Sequence, residues 1–161
     1  MEDGKEGFIN IVRFLKTDPK ARFQGYSFYF REGFCWIDVN STYLKARIKD
    51  NGVFDVLSMS LFSMTNIPDW YFVSLINSEF ISLYVDSFIN NTSHFQINDA
   101  RQLPIVIPNE EILLNIDLVC KKSINIKKQF YSSQQTPEDS EKELRELQCQ
   151  LDRCVDLLYM S

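Results

Sequence analysis

Five side chains of this sequence have the types and spacing for chemistry: Lys45 and Arg47 in the run LKARI, and Gln96, Asn98 and Arg101 in the run HFQINDARQLPIVIP. The chemistry is recognition rather than bond making. Arg presents a planar fork of donors that fits guanine or a phosphate, Lys a point charge, and Asn or Gln an amide edge that pairs with adenine. The same polar residues around 96–102 would also suit a turn, where they cap a helix end and satisfy backbone groups.

Catalytic readings find less support. His94 is the only histidine, and it lies among hydroxyl and amide residues with no G-x-S-x-G signature nearby, so neither a Ser-His-Asp nor a Cys-His pair is indicated. Asp18-Pro19-Lys20 has the carboxylate-x-lysine spacing of metal-dependent nucleases, but a proline turn suits a solvated loop better. Cys35, Cys120, Cys149 and Cys154 form no C-x-x-C pair, which points away from a zinc cage or redox pair and toward buried, reduced thiols. The chain is therefore expected to be non-catalytic, with no metal.

Elements able to position the five side chains can be read from periodicity. Tyr26–Phe30 and Phe34–Asp38 read as two strands around a turn containing Gly33. Leu44–Ile48 alternates, with Leu44, Ala46 and Ile48 on one face and Lys45 and Arg47 on the other. Asp50-Asn51-Gly52 then signals a turn, and Val53–Val56 is expected to return as the partner strand. From Pro68 to Ile89 apolar residues recur at helical spacing, predicting one buried helix of five or six turns. Leu103–Ile107 should then anchor the polar loop in the core. Two further stripes, Ile112 to Phe130 and Leu144 to Leu158, repeat at spacings of three and four around a polar linker near 132–139 and predict an antiparallel helical hairpin. The expected fold class is α+β: a small mixed or antiparallel sheet domain with a buried helix over residues 7–108, then a hairpin over 109–161.

Composition is compatible with that plan. The 161 residues are 45% apolar and include 13 Phe, enough for a real core. No run reaches the roughly 18–20 apolar residues of a membrane span, so the chain reads as soluble, cytoplasmic and without a secretory signal. In that setting the sequons at Asn40, Asn90 and Asn91 carry no glycans. The net charge of -5 is uneven: residues 138–161 hold seven acids and three bases, leaving 15 of the 22 acids and 14 of the 17 bases to the rest. The body is close to neutral, and a basic face is possible there.

Several segments in order carry a resemblance. FREGFCWIDVNSTYLKARI (Phe30–Ile48), GVFDVLSMSLF (Gly52–Phe62), SLINSEF (Ser74–Phe80) and NNTSHFQINDARQLPIVIP (Asn90–Pro108) are similar to the C-terminal target-recognition region of adenine-specific DNA methyltransferases. These enzymes belong to type II restriction-modification and related phage-defence systems. Trp36, Arg47, Asp55, Asn77, Ser78, Gln96, Asp99, Leu103 and Pro104 fall on the family's motif positions. Asp152, Val155, Leu158 and Tyr159 match the helix that closes many such proteins.

The resemblance implies bacterial double-stranded DNA as the partner, with Asn40, Ser41, Lys45, Arg47, Gln96, Asn98 and Arg101 as candidate contacts. Gln96 and Asp99 recur across relatives with different targets, which suits loop builders better than sequence readers. The family's catalytic signature is missing: glycine is absent after Gly52, and no two prolines are adjacent. S-adenosylmethionine is therefore implied only for a parent enzyme, whose catalytic domain would lie in the same or a partner chain. A rival reading is a protein-interaction module that assembles through its C-terminal helices and binds no DNA.

Overall fold

The structure is a computed structural model that describes residues 2–20, 25–39, 43–53 and 58–160. Its order is α1 (Glu2–Leu15), a 3-10 turn (Tyr26–Phe28), β1 (Gly33–Ile37), β2 (Ala46–Lys49) and β3 (Ser58–Leu61). There follow α2 (Asp69–Ile76), α3 (Glu79–Tyr84), a π-helical turn (Val85–Ile89), α4 (Ile97–Ala100), α5 (Glu110–Tyr131) and α6 (Pro137–Met160). The fold is α+β. β1 lies between β2 and β3 and is antiparallel to both, with Trp36 opposite Ala46 on one side and Met59 on the other.

Side-chain alternation divides the sheet into two faces. Phe34, Trp36, Leu44 and Ala46 turn inward and are buried with Tyr71, Val73, Leu75 and Ile76 of α2. Phe34 stacks on Phe72 with ring centroids 5.7 Å apart, and the Trp36 indole N–H donates to the Phe95 carbonyl at 2.9 Å. A Cβ on Gly33 would lie 2.5 Å from the Leu61 carbonyl oxygen and 2.7 Å from the Phe62 ring, so this crossing needs glycine.

Three expectations need correction. Tyr26–Phe30 is not a strand: Gly25 (φ 71°) and Phe30 (φ 62°) are left-handed and bracket a 3-10 turn. Its aromatic neighbours pack on other rings, with Tyr29 and Phe30 against Phe8 of α1, a helix that the sequence reading did not identify. Residues 54–56 of the expected strand Val53–Val56 lie outside the described residues; the next described strand, β3, begins at Ser58 and takes the edge of β1 opposite β2. The predicted single helix is interrupted at Asn77-Ser78, with a bend of 61°. Leu103–Ile107 joins no strand and turns at Pro104, where the Ile105 N–H donates to the Leu103 carbonyl at 2.9 Å; while Leu103 and Val106 pack against the core, Ile105 and Ile107 are exposed.

The interruption has a local cause. Asn77 Oδ1 accepts from the Ala46 N–H (2.7 Å) and Nδ2 donates to the Ala46 carbonyl (2.9 Å), as a neighbouring strand would. Reaching β2 takes the chain out of the helix. Ser78, extended at ψ 152°, caps the new start by accepting from the Ile81 N–H. No single helix among the described residues is long and apolar enough to cross a membrane; α2 and α3 are apolar together, and they line the core.

The hairpin buries Ile116, Val119 and Ile126 of α5 against Leu147, Leu151, Val155 and Leu158 of α6, the faces that the stripes predict. It shares one core with α2 and α3, and Phe80 stacks on Tyr159 at 4.2 Å between centroids. Of the cysteines only Cys35 is fully buried; Cys149 is exposed, contrary to the buried-thiol expectation.

Two tyrosine hydroxyls hold the segment after α4. Tyr71 donates to the Val106 carbonyl (2.7 Å) and Tyr159 to the Pro104 carbonyl. Burial raises both pKa values, that of Tyr159 to about 12 with a smaller contribution from Tyr84. A raised tyrosine pKa favours the neutral folded form, so this stability is intact below the unfolded value of about 10 and is lost as pH climbs toward 12. The urea midpoint should hold up to about pH 10 and then fall, and Tyr159→Phe should flatten part of that fall. An unchanged slope in the variant would remove Tyr159 from the account.

Candidate nucleic-acid interface

Arg47 is exposed on the outer face of edge strand β2 and Lys45 is exposed immediately before the strand, the two flanking the Ala46 that Asn77 clamps. Across β1, Cys35 pairs with Arg47, and the Arg47 Nε–H donates to the Cys35 sulfur at 3.4 Å. That bond fixes one edge of the guanidinium. Among the described residues neither Lys45 nor Arg47 forms an ion pair. Lys49 continues the alternation, opposite Gly33; its Nζ donates to the Arg31 carbonyl at 2.9 Å. Burial lowers the Lys49 pKa, and the nearby Cys35 partly offsets this.

The second part of the candidate site is α4 and its flanks. The Gln96 N–H donates to Asp99 Oδ2 (2.8 Å), which also accepts from Asn90 Nδ2 (3.1 Å); Asn90 in turn donates to the His94 carbonyl. Asp99 therefore builds the loop. Asn98 Oδ1 accepts from Arg101 (3.3 Å), and Gln102 donates to the Asn98 carbonyl (3.2 Å). Gln96, Asn98 and Arg101 are all exposed, with the last two already joined to each other. Asn40 and Ser41 lie outside the described residues.

The loop is moored at the C-terminal end of β1, whose partner strand β2 carries the cations. The Phe95 N–H donates to the Asp38 carbonyl at 2.8 Å, Val39 bridges His94, and His94 Nδ1 lies 2.9 Å from Asp38 Oδ2. Among the described residues the His94 ring meets a carboxylate but no hydroxyl or thiol, so it forms no nucleophile pair there. Asp18 Oδ1 accepts from the Lys20 N–H at 2.9 Å, an internal turn bond. Among the described residues no three His, Cys, Asp or Glu side chains cluster to hold a metal.

Gly25 caps a 3-10 turn and Gly33 is packed against Phe62, so neither of these two glycines builds a cofactor loop. The sequence reading missed two features. Lys49, one alternation beyond Arg47, was legible from its spacing. The Asn77 clamp was not, because its partner lies 31 residues away. No family model matches the chain, and no curated protein matches it.

Proposed function

We propose that this chain is a duplex-DNA target-recognition module serving adenine N6-methylation, acting beside a catalytic domain supplied by the same or another polypeptide. The observation that supports the reading best is the cationic edge of β2, in a sheet whose three strands contain no acidic residue although the chain's net charge is -5. The mooring of the α4 loop at the end of β1 favours it too. In this reading β2 contacts phosphates, and Gln96, Asn98 and Arg101 approach base edges. Flipping of the target adenine would belong to the catalytic domain, with this module gripping the flanking duplex.

A salt titration of duplex binding tests the proposal. Binding should weaken linearly in log salt, because each neutralised phosphate releases counterions. Undetectable or salt-insensitive binding at low ionic strength would overturn it. The rival interaction-module reading has an observation of its own: Leu114 and Leu118, one turn apart on α5, are 64% and 55% exposed. Concentration-dependent self-association without DNA binding would favour that reading.

A further inference from the structure

Arg31 lies in the turn before β1, with its guanidinium 5.0 Å from the Phe28 ring centroid and 5.5 Å from that of Phe62. The two rings stack 5.1 Å apart, and Lys49 Nζ lies 5.4 Å over Phe62. This gives Arg31 a platform at the end of the sheet where Lys49 pairs with Gly33. Lys45, just before β2, and Arg47 and Lys49 within it fall at alternate positions, with Arg47 and Lys49 about 6.8 Å apart for an antiparallel strand. That interval is on the order of the distance between consecutive phosphates on one nucleic-acid strand. Ser58, on the same outer face of β3, adds a hydroxyl but no charge, whereas the Ser60 hydroxyl is buried.

We propose that Arg31 and Lys49 extend the Lys45–Arg47 pair into a track that grips successive phosphates of a single DNA strand, an assignment that rests on the DNA-recognition reading. The track is independent of base sequence. Ammonium and guanidinium groups at this spacing answer to backbone charge, whereas base discrimination falls to the α4 loop. The ring platform restrains Arg31 before DNA arrives, which reduces the ordering cost of binding.

The experiment compares log Kobs against log salt for the whole chain and its Arg31→Gln, Lys49→Gln, Arg31→Lys and Lys49→Arg variants, on two duplexes of unrelated sequence. Each Gln variant should flatten the slope by about 0.9 and weaken both duplexes alike, while the charge-preserving variants keep the wild-type slope. Ala replaces Gln at either position if the circular dichroism of a Gln variant departs from wild type. Unchanged slopes in neutralised variants, with wild type still binding, would overturn the track and leave the DNA reading standing. A loss confined to one duplex would also overturn it, by making Arg31 or Lys49 a base reader. Absence of wild-type binding would overturn both.

Discussion

Asn77→Leu should destabilise the protein by about 2–4 kcal/mol, because it removes both hydrogen bonds to Ala46 and leaves a buried N–H and carbonyl without partners. For a chain of this length that corresponds to a fall in Tm on the order of 10 °C. Asn77→Asp is the sharper variant. It keeps the shape and can still accept from the Ala46 N–H, but at neutral pH it sets a carboxylate oxygen against the Ala46 carbonyl. Its stability, measured relative to wild type, should therefore recover as pH falls below about 4, when the carboxyl can donate. The clamp also bears on recognition, since Ala46 lies between Lys45 and Arg47. At temperatures where Asn77→Leu stays folded, its duplex affinity should drop as well. Wild-type stability in both variants would mean that the clamp contributes nothing.

The double variant Lys45→Ala/Arg47→Ala should have the largest effect on binding. Losing two phosphate contacts lowers the magnitude of the log–log salt slope by about 1.8. If affinities converge near 1 M salt, the loss at 0.1 M amounts to roughly 60-fold. It should be uniform across duplex sequences. Arg101→Ala and Asn98→Ala are expected to behave differently, costing about 1–3 kcal/mol on the recognised sequence and little on others. A sequence-dependent loss in the double variant would exchange the roles of strand and loop. No loss would remove β2 from the interface and leave Lys45 as a charge that guards a sheet edge against pairing with other chains.

The parts of this fold legible in the sequence are those set by local periodicity. Ile116, Val119 and Ile126, with Leu147, Leu151 and Leu158, recur at helical intervals and are the residues buried between α5 and α6. Leu44 and Ala46 are buried and alternate with the exposed Lys45 and Arg47 just before and within β2, but Ile48, expected on the buried face, is 38% exposed. The aromatic run at Tyr26–Phe30 shows where such reading stops. Its composition favours a strand, yet left-handed Gly25 and Phe30 make it a turn among the rings of α1. Likewise the apolar spacing across Asn77-Ser78 is continuous, and the helix ends there because Asn77 finds a partner on β2.

The sequence by itself determined the alternation from Leu44 to Arg47, the hairpin stripes and the exposed polar character of α4, since each follows from the order of neighbouring side chains. Only the tertiary structure decided that β1 lies at the centre of the sheet, that Asn77 clamps the cationic edge, and that Asp38 and Val39 moor the α4 loop. Those outcomes depend on groups far apart in the chain, where backbone donors and acceptors buried by folding must find partners that local pattern does not specify.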